Sequence, residues 1–104
     1  MFARVTRFEG DPEQLESATK LIKETIAPGA KRLQGFKGGY WLVDRATGKG
    51  FSVTLFESEA ALHATEDDAA QLRSRASSVA RITAVERYEV IAEAQVEELA
   101  PARS

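Results

Sequence analysis

The sequence predicts an α+β fold in which four antiparallel strands form one sheet and two helices pack on one face of it. Three observations predict it: segments of strand-like alternation, two segments with apolar residues at helical spacing, and their order β-α-β-β-α-β along the chain. Right-handed crossovers place both helices on the same face, the ferredoxin-like arrangement. The 104 residues fit a single domain with one core.

The four predicted strands are rich in β-branched and aromatic residues. They span residues 2–8, 40–45, 51–56 and 82–91. Residues 35–39 are predicted to form a loop, and residues 46–50 a hairpin connection in which Gly48 takes the left-handed conformation. Residues 92–104 contain little to bury, so we expect a domain over residues 1–91 followed by a loose C-terminal tail.

The two predicted helices begin at recognisable caps. Asp11 can cap the first helix, with Pro12 at its first position, and the apolar stripe that follows extends to residue 33. Pro28 and Gly29 interrupt this stripe, so we expect a kink or an end near residue 27. Ser58 can cap the second helix, whose apolar stripe runs to about residue 78.

Both faces of the predicted sheet carry apolar side chains. The opposed sets are Phe2 and Phe8 against Ala3 and Val5, Tyr40 and Leu42 against Trp41 and Val43, and Val85 and Ile91 against Ile82, Tyr88 and Val90. A sheet with helices on one face and apolar residues on the other needs a second cover. A second copy of the same sheet is the simplest cover, so the sequence predicts a homodimer.

The composition argues against several functions. The formal charge of −2 gives no electrostatic reason to expect nucleic-acid binding. The sequence predicts no signal peptide and no membrane-spanning run, so we expect a cytoplasmic protein that does not act at a membrane. Cysteine and asparagine are absent and His63 is the single histidine, so we predict neither a metal site nor a cofactor.

Two motifs within this layout resemble a known superfamily. Pro28 is followed by Gly35-Phe36 before the second strand, and Phe56-Glu57-Ser58-Glu59 leads into the second helix. Over residues 1 to about 91 the chain resembles the dimeric α+β barrel superfamily, in its antibiotic-biosynthesis-monooxygenase-like branch. The resemblance implies two sheets that close into a barrel, with a pocket in each protomer between the sheet and its helices.

The same resemblance bears on haem. The haem-degrading members use an asparagine on the first strand, with a tryptophan and a histidine on the second helix. Here Thr6, Thr65 and Arg75 fall near those three positions, and Trp41 is on the second strand instead. The resemblance therefore implies that this chain does not degrade haem.

Polar and aromatic residues inside the strands are the candidate ligand contacts. Tyr40 and Trp41 are neighbours in one strand and must face opposite sides of the sheet, so one of them can face the pocket unless both only pack. For Arg87 and Arg7, a cross-strand pair with Glu86 or Glu89 is the structural alternative. The candidate pocket residues are Arg4, Thr6, Tyr40, Trp41, Thr54 and Tyr88, and no catalytic residue is assigned.

His63 is the residue that most invites a catalytic role. A helical wheel places it nearly opposite the apolar stripe of the second helix, beside Asp67 four residues later. A general base must reach the proton that it removes. We therefore expect a solvated histidine paired with Asp67.

Two functions from different classes fit the sequence. The first is a dimeric protein that binds a small apolar or aromatic ligand without catalysis. The alternative is a cofactor-independent monooxygenase, or a related small-molecule enzyme, that acts on an aromatic substrate. Because few titratable residues have a plausible inward placement, the sequence favours the first.

Overall fold

The structure, a computed structural model, describes residues 1–96. The strands form one antiparallel sheet in the order β2-β3-β1-β4, with the helices on one face, and this confirms the predicted fold class. The elements in chain order are β1 (Phe2–Gly10), a 3₁₀ turn (Pro12–Gln14), α1 (Leu15–Leu21), a π-helical turn (Ile22–Ile26), α2 (Ala27–Ala30), β2 (Phe36–Val43), β3 (Lys49–Phe56), α3 (Glu59–Ala64), α4 (Glu66–Ser74) and β4 (Ala80–Glu89).

The end of the chain bears on the predicted domain boundary. Residues 90–96 have no regular secondary structure, and the side chains of Ile91 and Val96 are almost fully exposed. Residues 97–104, most of the predicted tail, lie outside the described residues. Within residues 1–96, we find no helix with the length and apolar character needed to cross a membrane.

The first helical segment begins where expected but does not end near residue 27. The Asp11 carboxylate accepts a hydrogen bond from the Glu13 N–H at 2.9 Å, and Pro12 follows this cap. The segment then passes through a π-helical turn and continues to Ala30. Proline lacks an N–H and crowds the carbonyl one turn earlier. The wider turn, in which Ala27 N–H bonds to the Ile22 carbonyl, accommodates Pro28 without ending the helix.

The second helical segment is broken in the middle and ends earlier than predicted. Ser58 caps α3 as expected, since its hydroxyl accepts a hydrogen bond from Ala61 N–H at 3.0 Å. At Thr65 the backbone leaves the helical region (φ −102°, ψ 7°), and α4 ends at Ser74 rather than near residue 78. The Thr65 hydroxyl donates back to the Ala61 carbonyl at 2.9 Å, a bond that bends helices.

All four strands differ from their predicted bounds by two residues or more at one end, and β2 differs most. β2 begins at Phe36, so the predicted loop over residues 35–39 is largely strand: Gly38 and Gly39 pair with β3 although glycine has low strand propensity. Gly35 provides the turn before it with φ 77°, and Gly48 has φ 78° as predicted.

A β-bulge corrects the predicted faces of β4. Arg7 pairs with Ala84 while the next residue, Phe8, pairs with Ile82, which leaves Thr83 as an extra residue. Ile82 therefore lies on the same face as Val85, not on the opposite face as strict alternation predicted.

The two faces of the sheet differ in their cover. The helices cover the inner face. Between this face and α3 lies the core cluster of Phe56, Ala61 and Leu62, against which Phe2, Leu33 and Phe36 pack. The outer face carries no helix. Its side chains include Ala3, Val5, Arg7, Tyr40, Leu42, Phe51, Val53, Leu55, Glu86 and Tyr88.

Candidate functional site

The inner face of the sheet and the helices enclose two adjoining cavities, which we call together the inner cavity. One has a volume of about 60 Å³ and the other about 40 Å³. Five residues line both: Thr6, Ile26, Trp41, Ser52 and Arg73. Each cavity exceeds the space that a single water needs, so the interior is not filled by side chains.

The larger cavity forms the apolar end. Its lining comes from β1, β2, β4, both helical segments and the turn before β4, and includes Phe8, Ala18, Ile22, Trp41, Ala76, Val79 and Ile82. Phe8, Ile22 and Trp41 also line an open groove of about 350 Å³ beside the edge strand β2. These three side chains therefore border both the inner cavity and the groove.

The smaller cavity forms the polar end. Its polar lining consists of Arg4, Thr6, Ser52, Thr54 and Arg73. The Thr54 hydroxyl donates to the Arg4 carbonyl at 3.3 Å. Neither lining, as given by the described residues, includes an aspartate, a glutamate or a histidine. The polar end therefore offers hydroxyl groups and guanidinium groups, and no side-chain base.

Arg4 ties the centre of the sheet to the break in the second helical segment. Arg4 is 2% exposed. Its Nη2 donates one hydrogen bond to the Leu62 carbonyl at 2.8 Å and another to Thr65 Oγ1 at 3.2 Å. Its guanidinium lies 5.0 Å from the centre of the Phe56 ring. Nε lies 3.5 Å from Glu66 Oε1 but makes no hydrogen bond within the described residues. The Arg4 side chain thus stabilises the open turn at Thr65.

Glu66 accepts a two-pronged hydrogen bond from Arg87. Arg87 Nε lies 2.6 Å from Glu66 Oε2, and Nη2 lies 2.8 Å from Oε1. This bond, aided by the nearby Arg4, lowers the pKa of Glu66 to about 2 although burial acts in the opposite direction. The same bond raises the pKa of Arg87.

The cross-strand pair predicted for Arg7 and Arg87 forms at Arg7 and not at Arg87. Arg7 makes the cross-strand pair with Glu86, at 3.1 Å. Arg87 pairs with Glu66 instead of a strand neighbour, because the helix break directs the first turn of α4 towards β4.

The polar end of the inner cavity has an excess of positive charge. Burial lowers the pKa of Arg4 and also that of Arg73, and in both cases a nearby arginine lowers it further while Glu66 raises it. Three guanidinium groups, those of Arg4, Arg73 and Arg87, thus share the single carboxylate of Glu66 in this cluster. An anion that entered the polar end would meet an attractive potential.

The structure brings together four of the six predicted pocket residues. Arg4, Thr6, Trp41 and Thr54 line the inner cavity. Tyr40 and Tyr88 are on the outer face instead, 70% and 50% exposed. Alternation along the strands explains the separation, since Tyr40 is next to Trp41 and Tyr88 pairs with Ala3 rather than with an inner-face residue.

Two cavity residues were missed by the sequence analysis. Ser52 pairs with Trp41 and alternates with Thr54 and Phe56 on β3, so strand periodicity could have found it. Arg73 lies four residues after Ala69, a member of the helical stripe, but its charge suggested a solvated position.

His63 is exposed as expected, but its partner differs from the predicted one. Its Nε2 lies 3.7 Å from Glu59 Oε2, one turn earlier on α3. The break at Thr65 removes the regular helical spacing between His63 and Asp67. Residues 1–96 contain no group of three or more histidine, cysteine, aspartate or glutamate residues that could hold a metal ion.

Comparison with known sequences identifies distant relatives. No protein-family model matches the chain. Two uncharacterised proteins of Mycobacterium tuberculosis, MT2634 and Rv2557, are each 26% identical to it over 93 residues. The match covers 88% of this chain but 42% of each relative, so the chain spans less than half of their length.

Comparison with solved structures identifies the fold. HapK from Hahella chejuensis superposes with a TM-score of 0.76 at 13% identity, covering 94% of this chain and all of HapK. An antibiotic biosynthesis monooxygenase gives a TM-score of 0.65 at 16% identity, covering 88% of this chain and all of that one. The fold is that of the antibiotic-biosynthesis-monooxygenase-like proteins. This confirms the resemblance read from the sequence, as a statement about architecture.

A haem-degrading protein shares this fold. MhuD from Mycobacterium tuberculosis, solved with two haems in its active site, gives a TM-score of 0.71 at 18% identity. The superposition covers 91% of this chain and all of MhuD. Proteins with different chemistry therefore share the architecture, and the residues within the cavity must decide what this chain does.

Proposed function

We propose that this protein binds a small apolar or aromatic molecule in the inner cavity. The observation that carries the proposal is the cavity itself, in which Trp41, Thr6 and Ser52 line both ends. Aliphatic side chains surround the larger end, and Thr54 and Arg4 border the smaller one. Ligand sites combine such apolar walls with a few polar groups that fix orientation. Both volumes are small, which excludes a large polycyclic molecule from the cavity as the structure has it.

The polar groups of the cavity support binding more than catalysis. Residues 1–96 contribute to the lining no carboxylate or imidazole that could act as a general base. Arg4 directs its hydrogen bonds to Leu62 and Thr65, away from the centre of the cavity. These contacts favour a ligand that is held without being transformed.

Fluorescence of Trp41 tests the proposal, because this is the single tryptophan of the chain. Titration with benzyl alcohol should change the fluorescence emission of Trp41 until the change reaches saturation. Ala76→Leu replaces a small lining side chain by a larger one that fills part of the apolar end, so it should abolish the change in emission. Ala70→Leu, at an exposed position on α4 six residues earlier, is the matched control and should preserve it. A response without saturation, or equal loss in both variants, would contradict binding in the inner cavity.

We further propose that a second copy of the chain covers the outer face. Tyr40, Leu42, Phe51 and Tyr88 expose 36% to 70% of their surface there, with Ala3 and Val5 between them. Apolar residues concentrated on one open sheet face are typical of an interface between copies. The expected interface is in the range of obligate dimers, about 2,000 Å² or more in total.

Light scattering coupled to size-exclusion chromatography tests this assembly. The protein should elute as a dimer at micromolar concentration. Leu42→Glu, which places a charge on the outer face beside Phe51, should give a monomer with unchanged secondary structure. Ala70→Glu introduces the same charge on an exposed helix position and should remain dimeric. A monomeric wild-type protein would rule the dimer out.

A cofactor-independent oxygenase is the second candidate function. The excess of guanidinium groups at the polar end would stabilise an electron-rich anion of an aromatic substrate, the form that reacts with oxygen. Oxygen consumption with a monocyclic hydroquinone, above the rate in buffer and lost in Arg73→Met, would favour this function. A rate equal to that in buffer would favour binding alone.

A further inference from the structure

The two ends of the inner cavity are chemically different, and this difference restricts the ligand further. The apolar end is surrounded by Trp41, Phe8, Ile22 and Ile82. The polar end lies between β1, β3 and α4 and is bordered by Arg4 and Arg73. A molecule that fills both ends therefore needs an apolar body and a polar group at one extremity.

Arg73 is one of the five residues at the junction of the two ends, and the only charged one among them in the part of the chain that the structure describes. It lines both cavities, so its side chain borders the apolar end and the polar end. The ion pairs found among residues 1–96 do not include it, whereas Arg87 occupies both carboxylate oxygens of Glu66. The positive charge of Arg73 is thus available to a ligand.

Two further donors line the same cavities as Arg73. They are the hydroxyl groups of Thr6 and Ser52. Arg4, which lines the smaller cavity, adds positive charge, and its buried Nε makes no hydrogen bond within the described residues although Glu66 Oε1 lies 3.5 Å from it.

We propose that the ligand is a small aromatic carboxylate, with its ring at the apolar end and its carboxylate on Arg73. A guanidinium group presents two parallel N–H donors that match the two oxygens of a carboxylate. Thr6 and Ser52 provide the remaining donors. This inference rests on the proposed binding function and adds the charge of the ligand and the residue that recognises it.

Benzoate and benzamide test the inference, since they have nearly the same shape and differ in charge at pH 7. Both are titrated against the wild-type protein, with Trp41 emission and calorimetry as readouts. Benzoate should bind more tightly by on the order of tenfold, the contribution expected of one charge-assisted pair. Arg73→Met should remove this preference and leave benzamide affinity within about twofold, whereas Arg73→Lys should retain part of it.

Arg75→Met is the matched control, because it removes the same charge from an exposed position two residues away and outside the inner cavity. It should keep the full preference for benzoate. Equal binding of both probes to the wild-type protein would overturn the inference and leave the proposed function intact. Binding of neither probe would overturn both. The wild-type comparison needs no variant, so it decides even if Arg73→Met does not fold.

Discussion

Replacing Glu66 with glutamine should destabilise the protein in a pH-dependent manner. The carboxylate lies between the buried Arg4 and the partly exposed Arg87, and its pKa falls to about 2, mainly because of the hydrogen bond from Arg87. A glutamate in an unfolded chain has a pKa of about 4.3. Glu66 therefore stabilises the folded state above that value, and the stabilisation decreases as the pH falls towards 2.

The magnitude follows from linkage between protonation and folding. The difference between the two pKa values corresponds to about 3 kcal/mol at pH 7. Because the Glu66 side chain is 23% exposed, we reduce this for solvent screening to about 2 kcal/mol. By pH 3 about half of the contribution should be lost, since an unfolded glutamate is then almost fully protonated while Glu66 is still largely ionised.

Urea denaturation at pH 7 and pH 3 measures this effect. Asp67→Asn is the control, because it removes the same charge one residue later in the first turn of α4. Its cost should stay within about 0.5 kcal/mol, the range of surface substitutions. The reasoning would be refuted if both variants lost the same stability at pH 7, or if the loss in Glu66→Gln were as large at pH 3 as at pH 7.

Three further predictions concern single side chains and haem. His63→Ala should change the free energy of unfolding by at most about 0.5 kcal/mol, because the side chain is exposed and its ion pair is with the exposed Glu59. A larger loss of stability in urea denaturation would contradict this placement. Trp41→Ala should cost about 3 kcal/mol, the lower end for a buried aromatic, because Trp41 already borders empty space; a cost near zero would mean that Trp41 does not pack between sheet and helices. Haem incubated with the protein, a reductant and catalase should keep its Soret band; a steady loss of the band would show haem degradation.

Most of the fold was predictable because periodicity determines which side of an element is buried. The alternation in residues 51–56 identified β3, and the adjacency of Tyr40 and Trp41 required opposite faces, as the structure has them. The bulge at Thr83 was not predictable in this way, because one extra residue reverses the alternation without any glycine or proline to mark it.

The candidate site was less predictable, because it depends on contacts between distant segments. Arg87 pairs with Glu66 directly after the helix break at Thr65, and Arg4 donates a hydrogen bond to the Thr65 hydroxyl at that break. Arg73 lies inward although a charged residue is most often solvated. Local propensities do not contain such long-range terms.

The central claim is that a ligand occupies the space between the sheet and its helices. Nuclear Overhauser effects between bound benzoate and the protein test it most directly, since the Trp41 indole N–H gives a single resonance. The account predicts contacts from the ring protons to Trp41 and to the methyl groups of Ile22 and Ile82. Contacts confined to the outer face, at Val53 and Leu55, would contradict it.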